Sequence, residues 1–334
     1  MKIFFDIGHP AHVHYFKNTI INLKLNGHEC FITARDKDVT HHLLNDYKIP
    51  YVSRGSGRSS FLGKFLYLFD ANYRLYKLGK KFKPDLFLSF ASPYAGQVAF
   101  LLGTPHIAFT DTEHAKLGIL AFLPFCDLVV TPKSFKNNLG SKHLKFDGYM
   151  EQCYLHKDYF TPDVNVLKTV NLERNAKFIV VRLVSWEASH DIGQEGIKIK
   201  SLLKLIKVVE KHTSVFVSSE SELPKELQKY QLSINPTELH DLLYFATLFI
   251  GEGATMASEC AVLGAPCIYI NTLNTGYLEE QQSNGLIHIF NSEVGVEEKA
   301  LEIISDNQNQ KKWEQNSTNF LNSKIDVNKF IMEL

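Results

Sequence analysis

The chain has 334 residues, a length that suits about two domains, and its 45% apolar and 22% charged residues are those of an ordinary globular protein. Lys plus Arg and Asp plus Glu both number 36, so no global charge argues for nucleic acid. The longest apolar run, 117–130, is broken by Pro124 and Asp127 and falls short of the ~20 residues a membrane span needs.

In chain order, 2–7 reads as a strand with no leader-type apolar stretch around it. Residues 14–25 read as a helix, with Phe16, Ile20 and Leu23 at helical spacing and Gly27 as its stop. Further strands are expected at 28–33, 85–90, 105–110 and 127–131. Strands separated by helical stretches argue for a parallel sheet covered on both faces. Residues 146–171, with Gly148 and Pro162, read as loop and mark a domain boundary. The pattern then repeats, with strands at 178–184 and 215–218 and helices at 197–210 and 238–246. A polar tail, 307–334, reads as helix around Trp313, Phe320, Ile325 and Phe330. The predicted class is α/β, two Rossmann-like domains over 1–160 and 161–315, with ligands in the cleft between their carboxyl strand ends. Cys30, Cys126, Cys153, Cys260 and Cys267 lack metal-type spacing and are expected as buried free thiols in a reducing cytoplasm.

The most telling stretch is 249–271, FIGEGATMASECAVLGAPCIYIN. A strand end runs into Gly251-Glu252-Gly253, a small-residue helix carries Glu259, and Gly264-Ala265-Pro266 stops it before a new strand. Glycines let backbone approach a bound group, and a helix start offers free N–H groups and a positive dipole end to a phosphate. Gly253, Ala254 and Thr255 form that start, and Glu259 could accept the two hydroxyls of a ribose. A purely structural βαβ turn would use the same residues.

Other constellations sit where strands end. The first strand leads into Gly8-His9-Pro10-Ala11-His12-Val13-His14, where His12 is a candidate for proton transfer and Gly8 for ligand binding. A zinc reading of His12 and His14 has no third ligand nearby, and no metal site is expected. Asp111 and Glu113, in 110–114, are candidates for a general base or for holding a hydroxyl; a helix N-cap with a first-turn acid would look the same. Arg182 could grip phosphate oxygens, and Ser185, Trp186 and His190 follow it, with Trp186 placed to pack on a base or sugar. Asp36-Lys37-Asp38 has a D-x-D pattern but reads as a solvated turn. Residues 58–83 mix aromatic and basic side chains, which fits either an anionic membrane surface or an ordinary core-facing helix with a basic outer side.

Taken together, DIGHPAHVHYFKN, RLVSWEASHD and GEGATMASECAVLGAPCIYIN resemble a family of bacterial and archaeal proteins of the glycosyltransferase-B superfamily, over nearly the full chain. More distantly they are similar to UDP-N-acetylglucosamine 2-epimerases and to the N-acetylglucosaminyltransferase that forms lipid II. The resemblance implies a GT-B architecture whose final helix, 316–334, crosses back onto the first domain, and a nucleotide diphosphate sugar on the second. It assigns Gly253, Ala254 and Thr255 to the diphosphate, Glu259 to ribose, His12 to the reacting sugar, and Gln281 and Asn284 to a donor-sugar loop. The chain departs from the epimerases: their first-domain aspartate falls near Ser92, their paired glutamates have no counterpart after Pro124, and their second-domain His-Arg-Arg-Glu run is replaced by Val184-Ser185-Trp186-Glu187. The expected function is a metal-independent glycosyltransferase without a separate cofactor, using a UDP-sugar or similar donor and a sugar or lipid-linked acceptor. The alternatives are an epimerase or hydrolase of the 2-epimerase type, or a non-catalytic nucleotide-sugar-binding protein. The expected location is cytoplasmic, with peripheral membrane contact through 58–83 and no nucleic-acid partner.

Overall fold

The computed structural model describes residues 1–37, 39–57, 61–184 and 197–334, leaving aside the side chains of 61, 62, 64 and 65. The chain divides into two units, 1–154 with 325–334, and 155–324. The divide lies inside the loop-like stretch 146–171, ahead of the expected 160.

The first unit is a seven-stranded parallel sheet in the order β3-β2-β1-β4-β5-β6-β7. Its strands are β1 (Lys2–Ile7), β2 (Glu29–Asp36), β3 (Val52–Ser56), β4 (Leu86–Phe90), β5 (His106–Phe109), β6 (Leu128–Pro132) and β7 (His143–Phe146). The crossovers carry α1 (Pro10–Leu25), α2 (Thr40–Asp46), α3 (Phe61–Phe82), α4 (Pro93–Leu102) and α5 (Lys116–Phe122); α6 (Gln152–Leu155) spans the divide. The inner strands are largely apolar because helices cover both faces: Phe4, buried in β1, meets Phe87 at 4.7 Å and Phe31 at 5.2 Å between ring centroids. α1 starts where its sequence says it should. His9 caps it by accepting the Ala11 N–H at Nδ1, Pro10 takes the first turn, and Val13, Phe16, Ile20 and Leu23 line the buried side.

The second unit contains α7 (Val166–Thr169), β8 (Phe178–Leu183), α8 (Ile199–Val209), β9 (Ser214–Ser219), α9 (Leu239–Phe245), β10 (Leu248–Gly251), α10 (Ala254–Leu263), β11 (Cys267–Ile270), α11 (Gly276–Ser283), β12 (His288–Phe290), α12 (Val296–Ser305) and α13 (Asn309–Leu321). Its five strands are all parallel, in the order β12-β11-β10-β8-β9. Leu202, Leu205, Ile206 and Val209 of α8 pack on Ile179, Val181 and Val217; each such buried side chain stabilises by roughly 1.5–3 kcal/mol.

The tail is two helices rather than one. α13 stays with the second unit, where Ser317 Oγ donates to the Val262 carbonyl at 3.1 Å. Asp326 then caps a new helix, α14 (Val327–Glu333), which belongs to the first unit. Asn328 anchors it, accepting from Thr19 Oγ1 at 2.9 Å and donating to the Cys153 carbonyl at 2.6 Å. All five cysteines are free; Cys30 is half-buried and the others are buried. Among the described residues no helix is long and apolar enough to cross a membrane.

Candidate functional site

A doubly wound sheet opens a crevice where its strand order reverses. In the second unit that point lies between β8 and β10, where Arg182 stands in register with Gly251. The chain leaves β10 through Glu252 and Gly253 straight into α10. Gly253 is the N-cap in ordinary extended geometry (φ −87°, ψ 122°), so glycine is not needed there for its backbone angles. What it contributes is a bare helix start: no side chain caps α10, and Gly253, Ala254 and Thr255 are half-exposed. At the other end Gly264 closes the helix at φ 73°, with a Cβ there falling 2.7 Å from the Glu314 backbone.

The other described second-unit candidates are committed to protein partners. Arg182 donates from Nη1 to Ser218 Oγ at 2.7 Å and from Nη2 to Glu220 at 3.2 Å. Glu259, one turn below Thr255 on the same helix face, is buried and its carboxylate lies 3.0 Å from His240 Nε2 on α9. Gln281 is fully buried; its Nε2 donates to Ser258 Oγ at 2.8 Å. The Gln281 Oε1 and the Thr275 Oγ1 are buried without a hydrogen-bond partner, the kind of polar atom that calls for an explanation in a native structure. Asn284 is exposed and closes α11, its Nδ2 donating to the Glu280 carbonyl at 2.7 Å. Ser185, Trp186 and His190 lie outside the described residues. The two flanks of that stretch meet on one residue that the sequence did not single out. The buried Glu252 carboxylate accepts the Val184 N–H at 3.0 Å and the Ile197 N–H on its other oxygen.

In the first unit the reversal falls between β1 and β4. Gly8 and His12 follow β1, and Ala91, at φ 48°, follows β4. A left-handed backbone at a non-glycine residue stores strain of the sort that gathers at functional sites. Beneath this loop lies a buried ion pair: Arg54 Nε sits 2.8 Å from Asp6 Oδ1, and both side chains are almost wholly buried. Asp6 also accepts from Thr33 Oγ1 at 2.9 Å and from Ser92 Oγ at 2.5 Å, while Arg54 donates to Tyr67 OH at 2.8 Å. Ser92, at the position of the epimerase aspartate, thus serves Asp6. Sequence reading missed Arg54 because a short strand with a glycine, VSRGS, hides it.

His12 accepts the Gly8 N–H at Nδ1 (3.3 Å) and packs on the Phe90 ring at 4.8 Å. Burial first, then the positive neighbours His9, Lys37 and Arg54, hold its pKa well below the usual 6.5. The ring is therefore neutral near pH 7, and with Nδ1 occupied as an acceptor its proton rides on Nε2. In this state His12 is a hydrogen-bond donor rather than a base. His14 instead joins an aromatic cluster, 5.0 Å from the Tyr154 ring centroid. Among the described residues no group of three or more His, Cys, Asp or Glu side chains is gathered to hold a metal ion.

Asp111 and Glu113 are both buried in the loop after β5. They do not form a helix start, since α5 begins at Lys116 behind the N-cap Ala115. Burial, aided by Glu113, pushes Asp111 up to about 6 against a hydrogen bond from the Thr112 hydroxyl at 2.8 Å. Glu113 Oε1 accepts the Lys136 N–H at 3.3 Å. A carboxyl that titrates near neutrality is suited to proton transfer.

Two consecutive parallel α/β units, with the last helix returned to the first, place the chain in the GT-B class of folds. It belongs to the family described as "Protein of unknown function (DUF354)", which it matches over residues 1–325. It is 28% identical over 279 residues to an uncharacterised protein of Methanocaldococcus jannaschii, covering 80% of this chain and 81% of that one. Among solved structures it is similar to the UDP-GlcNAc 2-epimerase of Neisseria meningitidis bound to UDP-GlcNAc (TM-score 0.70, 13% identity, 100% and 99% of the two chains). It is similar also to the M. jannaschii UDP-GlcNAc 2-epimerase in complex with UDP-GlcNAc and UDP (0.67, 14%, 94% and 98%). A third likeness is to SsfS6, a glycosyltransferase of Streptomyces sp. SF2575 (0.62, 14%, 99% and 99%). At such identities these likenesses establish the fold alone.

Proposed function

We propose that this chain is a metal-independent glycosyltransferase that takes its sugar from a nucleotide diphosphate donor, a UDP-sugar, for a surface polysaccharide or glycolipid. The observation that carries the reading is the bare start of α10 at the switch point of the second unit. Amides fixed there before reaction stabilise the charge that develops on a leaving diphosphate, at no cost in reorganisation. Glu259, oriented by His240, receives the ribose hydroxyls. In the first unit Asp111 takes the proton of the acceptor hydroxyl as that oxygen bonds to the sugar's anomeric carbon and the bond to the diphosphate breaks. Neutral His12 donates from Nε2 to a substrate oxygen. The acceptor is a sugar or a lipid-linked sugar, met at the cytoplasmic face of a membrane.

A second reading, an epimerase or hydrolase, is favoured by the buried pair Asp111 and Glu113, which could divide acid and base roles. Saturation-transfer NMR with UDP-GlcNAc and other nucleotide sugars tests donor binding. Binding is expected for the wild type and lost in Glu259→Ala; unchanged binding in that variant refutes the nucleotide assignment. Incubation with UDP-GlcNAc and no acceptor then separates the chemistries. A transferase leaves the donor intact, whereas an epimer or free sugar supports the second reading.

A further inference from the structure

The outer side of the first unit's α3–α4–α5 layer gathers exposed large apolar side chains. α3 buries Gly63, Tyr67, Ala71, Leu75 and Gly79, one residue per turn. Its opposite side carries an exposed stripe at helical spacing: Leu66, Phe69 and Tyr73, then Lys77 and Lys80. Leu66, Phe69 and Tyr73 are 48–59% exposed. α4 packs beside α3, joined by the Asn72–Gln97 hydrogen bond at 2.6 Å, and ends in Phe100 and Leu101, 66% and 65% exposed. On its other flank α5 presents Leu117 and Leu120, 82% and 63% exposed. The second unit, by contrast, has among its described residues one large apolar side chain of comparable exposure, Val294.

The charge on this layer is equally one-sided. Among the described side chains of these helices, Arg74, Lys77, Lys80, Lys81 and Lys116 stand against Asp70 alone, in a chain whose Lys plus Arg and Asp plus Glu are equal at 36 each. Asp70 is itself paired with Arg74 at 3.1 Å. Lys77 leans over the Tyr73 ring, its Nζ 4.5 Å from the centroid, so cation and aromatic share one outward position. Exposed aromatic and aliphatic side chains interleaved with unopposed lysines match the acyl boundary and phosphate layer of an anionic bilayer.

We infer that the outward face of α3, α4 and α5 docks on an anionic lipid surface. This deepens the membrane contact proposed for 58–83: the contact belongs to three helices, and α4 and α5 supply apolar groups that the earlier segment does not contain. It rests on the proposed lipid-linked acceptor only for its purpose, since the face binds lipid whatever donor the second unit takes.

Flotation of the full chain with vesicles tests it, using phosphatidylcholine alone and phosphatidylcholine with roughly one third phosphatidylglycerol. Binding is expected to the anionic vesicles and not to the neutral ones, and is expected to weaken with salt. Each cation at such a surface is worth about fivefold in partitioning, so Lys77→Glu/Lys80→Glu should lower binding by about thirtyfold or more. Phe69→Ser/Leu120→Ser should lower it by about tenfold or more through lost apolar insertion. A charge-matched control in the other unit, Lys211→Glu/Lys229→Glu, should bind as the wild type does. No binding to anionic vesicles, or equal loss in the control, overturns the inference. So does a dimer, seen by analytical ultracentrifugation, that the Phe69 variant dissolves, because the face would then join two copies. Nucleotide-sugar binding by NMR should persist in Lys77→Glu/Lys80→Glu, so failure of the lipid inference and failure of the donor reading are told apart.

Discussion

Asp111→Asn is expected to stabilise the protein at neutral pH, and to do so in a pH window that identifies the carboxyl responsible. Asp111 is 7% exposed and its pKa is raised from the ordinary 3.8 to about 6, with burial the largest cause. A raised folded-state pKa means that the native protein holds a proton which the unfolded chain has already released. The group's contribution is therefore fully present below about pH 4 and is lost as pH rises toward 6. The shift corresponds to about 3 kcal/mol of stability given up by the wild type between those limits. Asparagine keeps the shape and carries no charge, so it escapes the loss. Urea unfolding of both proteins, followed by circular dichroism at steps from pH 4 to 7.5, measures the difference. The variant's advantage should grow by about 3 kcal/mol across the window and level off above pH 7. An advantage that does not change with pH, or one that shrinks as pH rises, refutes a buried Asp111 whose pKa is raised to about 6 and with it the proposed base.

Gly264→Ala should destabilise by about 3 kcal/mol, combining the left-handed backbone with a Cβ held 2.7 Å from the Glu314 backbone. Gly27→Ala, at φ 81° with nothing within 4 Å of the added carbon, should cost only about 1–2 kcal/mol; equal losses in urea unfolding would disprove the close packing of α13 on that turn. Glu252→Ala strips the partner from the Val184 and Ile197 amides and should cost about 3 kcal/mol or more. The matching readout is hydrogen exchange, which should speed up at those two amides first. Unchanged protection there would mean the carboxylate does not hold the two segments.

Much of the frame was legible in the chain itself. The strand and helix periods of 2–7, 14–25, 85–90 and 178–184 come within a few residues of the observed elements because parallel strands covered on both sides read as short apolar runs. β3 and β7 went unread, since VSRGS and HLKF are partly polar and owe their place to their neighbours. The glycine-flanked α10 was legible from turn chemistry, and so was its stop at Gly264. The partners of the site residues were not. Nothing local in HDLLYF says that His240 meets Glu259, and nothing near Arg54 says that it meets Asp6.

That division has a physical cause. Helix caps, apolar period and glycine turns act over a few residues, so the chain alone settles that two α/β halves exist and where the loops after their strands begin. Which loops share a crevice depends on strand order, and what a side chain does there depends on burial and on partners far away in the chain. The sheet orders bring Arg182 beside Gly251 and His12 beside Phe90. Burial and the Gly8 amide then make His12 a donor, and burial makes Asp111 the group that titrates near neutrality. Those two assignments, the reverse of what residue type alone favours, come from desolvation and charge in three dimensions.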